Sequence, residues 1–308
     1  MLRQKATVVK DSPPAAIRER SAGWKWKEVF SGYLFIFPNL AFVLIFFVYP
    51  LLDTIKLSFY KSDLAGQSFI GLQNYFTVFS DPIFWNSLKN TVYFAIIIVP
   101  VVVAVSFTLA ALMRDMRNSS KAFFRVMFYL PVISTPVVLT MIWSWIYNTN
   151  FGILTYFRSL LGYAPTEILG TPTSAILAVS VVVATWSIGQ PVILYLSSVD
   201  GIPQDYYEAA EIDGAGPLRK LVAITLPLVA HTTLFVTITT TIAAFQIFAV
   251  IYLLTGGGPY YGTETLVYTI YRTAFNSYDF GLASAQGVVL FVIIMAIALV
   301  QLRLLKVK

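Results

Sequence analysis

The sequence predicts an all-α polytopic membrane protein with six transmembrane helices and both termini cytoplasmic, and three observations carry that expectation. Of the 308 residues 57% are hydrophobic and only 12% charged, about half the charged share of an ordinary soluble domain. Six apolar stretches of about 20 residues follow one another, each long enough to cross a hydrocarbon core of about 30 Å. Lys and Arg gather at alternate ends of those stretches.

Residues 1–29 read as a basic cytoplasmic tail: Arg3, Lys5, Lys10, Arg18, Arg20, Lys25 and Lys27 share it with Pro13 and Pro14, without apolar periodicity. It ends in Trp24-Lys25-Trp26-Lys27, residue types that anchor at a membrane interface. A signal peptide fits less well, because the apolar run that follows is too long and has no small-residue cleavage site. Residues 30–308 form the membrane domain, with spans near Tyr33–Leu52, Thr91–Met113, Phe124–Tyr147, Ser174–Val199, Leu226–Leu254 and Leu282–Leu305. Sixteen of the 21 Lys and Arg fall in the tail, the second and fourth connections and the C-terminal end. The positive-inside rule therefore places both termini and the 200–227 loop in the cytoplasm.

The first outer connection, 53–90, contains FIGLQNYFTVF, which fits a short amphipathic helix lying on the membrane. Gly256-Gly257-Gly258-Pro259 is a turn-rich exit from the fifth span. No internal repeat is visible, which weighs against carriers built from repeated halves.

Several chemistries are disfavoured. The chain has no cysteine and one histidine, His231, so disulfides, Cys-based metal sites and multi-His sites are excluded. Topology explains the net charge of +6 more simply than nucleic acid does. There is no GxxxxGK[ST] phosphate loop, so ATP should not bind this chain, and no HExxH or Ser/His/Asp constellation supplies catalytic residues. No ionisable residue lies between Arg125 and Arg158, which disfavours ion coupling. His231 reads as an interfacial, hydrogen-bonded residue, and Trp143, Trp145 and Tyr147 as an aromatic belt.

The spans hold neutral polar and aromatic residues beside helix breakers. Trp186, Ser187, Gly189, Gln190 and Pro191 occupy the fourth, and Thr237, Thr239, Thr240, Thr241 and Gln246 the fifth. A sugar presents hydroxyls to such side chains and C–H faces to rings. Small residues also serve helix packing in membranes, which is the plainer reading of the Thr run. An amide, by contrast, is costly to face into lipid. The candidates for a substrate pathway are Trp186, Ser187, Gln190, Thr240 and Gln246.

The one long polar segment between apolar runs is PQDYYEAAEIDGAGPLRKLVAITLP, 203–227. Pro203 suits a first helical position, Gly214 a C-terminal stop and Pro217 a second start, giving helix, Gly turn, helix. Tyr206, Ala209, Ala210 and Asp213 share one face of the first helix. Asp200, Asp205, Glu208, Glu211 and Asp213 put five carboxylates in fourteen residues, a docking surface for a basic partner. Glu208-Ala209-Ala210, Asp213-Gly214-Ala215 and Ile224-Thr225-Leu226-Pro227 fix ten positions across twenty. They resemble the EAA signature of permease subunits in bacterial ATP-driven (ABC) importers of the carbohydrate-uptake group. Leu218, Leu221 and His231 depart from that pattern, standing where Trp, Phe and Pro are common.

The resemblance implies a coupling helix seated in a cleft of a cytoplasmic ATPase, with Tyr207, Glu208, Ala209, Ala210, Asp213, Gly214 and Ala215 at the contact. It implies a multi-pass subunit of the bacterial cytoplasmic membrane partnered by a second homologous permease, two ATPase subunits and an extracytoplasmic sugar-binding protein. ATP and Mg would belong to the ATPases, leaving this chain without cofactor, metal site or catalytic residue. Its cargo would be a di- or oligosaccharide, drawn through contacts from the fourth and fifth spans. Alternatives are a stand-alone channel or secondary carrier, or an importer of glycerol phosphate or another polyol-like solute. The lack of buried basic residues argues against phosphorylated cargo.

Overall fold

The computed structural model describes residues 26–304. Most of the basic tail, the Trp24-Lys25 half of its anchor, and Lys306 and Lys308 lie outside the described residues. The chain divides into two compact units at Leu51/Leu52. Helix α1 (Trp26–Val43), a π-helical turn (Leu44–Val48) and the start of α2 (Tyr49–Leu57) make up the first. Phe30–Leu57 is one apolar helical run of 28 residues, long enough to cross a membrane.

The second unit opens with a hairpin absent from the sequence expectation. Strands β1 (Tyr60–Asp63) and β2 (Gly66–Phe69) pair antiparallel, Tyr60 opposite Phe69. The Asp63 carboxylate accepts from the Ala65 N–H at 2.8 Å, and Gly66 takes φ +146°, backbone that favours glycine. Next come α3 (Gln73–Ser80) and α4 (Pro82–Met113). The expected amphipathic helix is α3, and it docks on protein: Asn74 and Val78 are buried, and Asn74 Nδ2 donates to the carbonyls of Ser58 and Tyr60, both at 2.9 Å.

The 32-residue α4 spans about 48 Å at 1.5 Å per residue and runs through the centre of the unit. Asp81 caps it, accepting from the Ile83 N–H at 2.8 Å, with Pro82 in the first turn. Helices α5 (Asn118–Ile133) and α6 (Pro136–Ile146) follow, then the short α7 (Ile153–Leu160), α8 (Pro172–Ser187) and α9 (Gly189–Asp200). The polar loop comprises α10 (Asp205–Ile212), α11 (Pro217–Lys220), a π-helical turn (Leu221–Thr225) and α12 (Leu226–Leu228); α13 (Ala230–Phe245) leads back into the core. A π-helical turn (Ile251–Thr255), α14 (Leu266–Tyr271), another π turn (Arg272–Asn276) and α15 (Phe280–Leu304) complete the chain.

Among the described residues three helices are long and apolar enough to cross a membrane: Phe30–Leu57, Pro82–Met113 and Phe280–Leu304. Three bent pairs qualify together, α5 with α6 (95°), α8 with α9 (48°) and Pro217–Leu228 with α13 (70°). The expected straight span Phe124–Tyr147 is thus sharply broken, because Thr135 caps a new helix that has Pro136 in its first turn. The expected Leu226–Leu254 span also differs. Its helix starts earlier, bends at Val229 and stops at Phe245, so Gln246 lies at a second break.

Two apolar clusters hold the unit together along α4. Phe84, Phe94, Ile98 and Val102 meet α8, Phe245 and Leu266, while Ala110 and Met113 meet Tyr195, Leu196, Val199 and Val236. Two glycines mark close approaches. A Cβ on Gly189 would strike the Phe128 carbonyl oxygen, where α9 crosses α5, and one on Gly281 the Tyr60 carbonyl oxygen, where β1 crosses α15. Tyr147 is buried and donates to the Ala178 carbonyl at 3.0 Å, so this member of the expected belt is a packing residue.

Candidate functional site

Helix breaks meet at a cavity of about 320 Å³. Pro136 begins α6, Ser187 ends α8, and Gln246 follows α13; all three line the cavity, with Trp186, Thr240, Ile98 and Phe248 among the rest. Discontinuous helices are tolerated at membrane depth where they surround such a space. Four of the five pathway candidates (Trp186, Ser187, Thr240 and Gln246) are therefore together. The fifth, Gln190, is exposed and not part of the lining, because α9 departs from α8 by 48° just before it.

The polar groups here are uncommitted. Thr237, Thr239 and Thr241 each donate to a carbonyl one turn back on α13 at 2.7–2.8 Å, which is packing chemistry. Ser187, Thr240 and Gln246 make no side-chain hydrogen bond among the described residues, and the buried Trp186 Nε1–H has no partner there either. Buried polar groups are ordinarily paired, so the unpartnered Trp186 Nε1–H is unusual, while Ser187, Thr240 and the exposed Gln246 leave their polar atoms open to the cavity. None of the residues lining it is ionisable.

The second part of the site is the polar loop at the far end of α9 and α13. Asp205 and Glu208 stand in the first turn of α10, near the positive end of its dipole. Gly214 adopts φ +75°, and the Ala215 N–H donates to the Ala210 carbonyl at 2.8 Å, closing the turn. Tyr207 alone of α10 is buried. Its hydroxyl lies 2.9 Å from Thr225 Oγ1, and the Arg114 guanidinium lies over its ring, 3.3 Å from the centroid. Arg114 also donates to Gln204 Oε1 at 2.7 Å. These residues border a groove of about 670 Å³ between the end of α4 and the loop.

Of the five carboxylates read as a docking face, two are engaged within the chain. Asp200 pairs with Lys121 at 2.8 Å and Arg125 at 3.3 Å, tying α9 to α5. Glu211 pairs with Lys220, whose hydrogen bond and charge hold that carboxyl below the usual range. Asp205, Glu208 and Asp213 remain exposed, as do Ala209 and Gly214, while Ala210 and Ala215 are half-buried. Two large apolar side chains beside them, Ile212 (88% exposed) and Leu218 (73%), were not anticipated. The signal for Ile212 is its hydrophobicity within a polar loop, and for Leu218 also its place where the resembled pattern commonly has Trp. Arg114 gave no signal beyond its count as a cytoplasmic charge, since its ring partner is 93 positions away.

A family model described as the binding-protein-dependent transport system inner membrane component matches residues 15–306. A probable ABC transporter permease protein of Bacillus subtilis is 34% identical over 279 residues, which cover 89% of this chain and 95% of the relative. A trehalose/maltose transport system permease protein of Thermococcus litoralis is 33% identical, covering 91% and 95%. An sn-glycerol-3-phosphate transport system permease protein of Agrobacterium fabrum is 34% identical, covering 88% and 93%. A chain of a bacterial alginate ABC transporter, solved with an alginate pentasaccharide-bound periplasmic protein, superposes with a TM-score of 0.82 over 91% of this chain and 96% of that one, at 20% identity. That likeness is one of fold.

Proposed function

Because the chain belongs to the family of inner membrane components of binding-protein-dependent transport systems, we propose that it is the permease subunit of an ATP-driven sugar importer. Counting each bent pair as one span gives six, with both termini and the 200–227 loop cytoplasmic by the distribution of basic residues. Its partners are a second homologous permease, two ATPase subunits that bind ATP and Mg, and an extracytoplasmic sugar-binding protein. Residues 30–308 form the permease domain behind the basic tail 1–29.

One observation carries the cargo reading: Ser187, Thr240, Gln246 and the Trp186 Nε1–H have no side-chain partner among the described residues around one uncharged cavity. Hydroxyls and an amide satisfy sugar hydroxyls, and the Trp186 and Phe248 rings accept C–H faces. Neutral groups bind weakly enough to let the cargo go. A phosphorylated cargo would call for Lys or Arg, and the cavity lining has none.

The coupling reading rests on the two helices that join loop to cavity. The 12 residues of α9 reach about 18 Å from Asp200 to the break beside Ser187, and α13 runs from the loop to Gln246. Closure of the ATPases on ATP moves the 203–227 segment as a rigid lever, and these helices carry the displacement to two walls of the cavity. Tyr207, Glu208, Ala209, Ala210, Asp213, Gly214 and Ala215 form the lever's contact, with Ile212 and Leu218 as its apolar anchors.

The test is sugar uptake by proteoliposomes holding the complete complex, using trehalose, maltose, sucrose and maltotriose. Thr240→Val and Gln246→Leu are expected to raise the half-saturating concentration about tenfold, the cost of roughly one hydrogen bond. Uptake by this chain alone, without ATPase subunits, would overturn the reading in favour of a stand-alone carrier.

A further inference from the structure

Five aromatic rings run from the cavity to the surface. Phe248, part of the cavity lining, lies 5.6 Å from Tyr252 with the rings at 19°, and 4.9 Å from Tyr271. Tyr252 is 5.4 Å from Tyr271 and 6.4 Å from Tyr268, and Tyr271 is 5.1 Å from Phe275. Positions 248 and 252 are one turn apart, as are 268 and 271 and then 271 and 275, so one seam between two helical segments carries every ring.

Simple packing between helices would bury such rings, yet Tyr252 and Phe275 are 47% and 58% exposed. A membrane-interface belt would distribute aromatics around a perimeter, whereas these touch in series and end at the cavity. The seam is also uncharged. Arg272, next along the helix, turns away to Glu264 at 3.0 Å and to the Tyr261 ring at 5.3 Å. Tyr252, Tyr268 and Tyr271 each carry a hydroxyl on this ring series.

We propose that Phe248, Tyr252, Tyr271 and Phe275 form an entry subsite for neutral carbohydrate, on which pyranose C–H faces stack before reaching the cavity. The proposal rests on the sugar-importer reading above and deepens it. Stacking on successive faces is weakly directional, so a sugar shifts from ring to ring without breaking a fixed set of hydrogen bonds, while tyrosine hydroxyls meet its rim.

The experiment uses the complete complex in proteoliposomes, with its binding protein, and measures uptake of trehalose, maltose, sucrose and maltotriose against concentration. Tyr252→Leu and Phe275→Leu are expected to raise the half-saturating concentration about three- to tenfold, with sugar affinity of the binding protein and basal ATPase unchanged. Tyr252→Phe, which keeps the ring and loses only the hydroxyl at the sugar's rim, is expected to raise the half-saturating concentration less than Tyr252→Leu does. Should Tyr252→Leu fail to assemble, Phe275→Leu at the exposed end decides. Unchanged half-saturation in the assembled Leu variants overturns the subsite while leaving the importer reading intact. No uptake of any of these sugars by the unsubstituted complex overturns the sugar reading and the subsite with it.

Discussion

The Arg114 guanidinium lies 3.3 Å from the centroid of the Tyr207 ring, joining the end of α4 to the one buried side chain of α10. Arg114 is largely sheltered, and it also donates to Gln204 just before that helix. A planar cation over a ring in a sheltered site contributes about 1 kcal/mol, enough to hold α10 against the body of the protein. Arg114→Lys keeps the charge but not the planar stack over the Tyr207 ring. Amide hydrogen exchange across 204–212 is expected to quicken about fivefold or more, the equivalent of about 1 kcal/mol, with the rest of α4 unaffected.

Gly214 has φ +75° and nothing within 4 Å of an added Cβ, so backbone strain is the whole local cost of replacing it. That cost is about 1–2 kcal/mol for Ala, more for a β-branched residue and less for Asn. Uptake by the complex is expected to fall in the order Gly, Asn, Ala, Val while the chain remains in the membrane. Undiminished transport-coupled ATPase activity in Gly214→Val would contradict a lever role.

Gly189 is a packing glycine of a different kind. A Cβ there would run into the Phe128 carbonyl oxygen and lie 2.6 Å from Val132 Cγ2, forcing α5 and α9 apart beside the cavity. Gly189→Ala is expected to destabilise the protein by about 1–3 kcal/mol, read as a lowered unfolding temperature in detergent. An unaltered transition would show that the crossing is looser than the geometry requires.

Glu264 is fully buried in the 256–265 connection. Its Oε1 accepts a hydrogen bond from Thr269 Oγ1 at 3.0 Å and is ion-paired with Arg272 at 3.0 Å, and Oε2 has no partner among the described residues. Burial pushes its carboxyl above the ordinary value, Arg272 opposing. A raised folded-state value means that this group's contribution to stability is full below the unfolded-state value and is lost as pH rises through the folded one. Glu264→Gln is therefore expected to flatten the acid-range pH dependence of the unfolding temperature. An unchanged profile would place that dependence elsewhere.

Much of this was legible in the sequence, for identifiable reasons. Apolar length marked the long helices α4 and α15, and Pro217 and Gly214 punctuated the loop because ring geometry and positive φ admit few substitutes. The 95° bend was hidden, since Ser134-Thr135-Pro136 is a cap and first turn embedded in an apolar run, where hydropathy alone reads continuity. Gln190 looked equivalent to Trp186 at helical spacing, but the break at Ile188/Gly189 sends it to another face. Arg114 and Asp200 were charges without partners on paper. Their roles come from Tyr207, Lys121 and Arg125, far away in sequence, which only the fold brings near.

We propose that a short cytoplasmic lever, α10 and its flanks, receives its motion from an ATPase. The chain contains no cysteine, so Ala209→Cys offers a single, exposed attachment point on α10. A benzophenone maleimide placed there in the assembled complex is predicted to photocrosslink to an ATPase subunit, and the thiol to resist impermeant maleimide added outside intact cells. Labelling from outside, or crosslinks that never include the ATPase, would contradict the account.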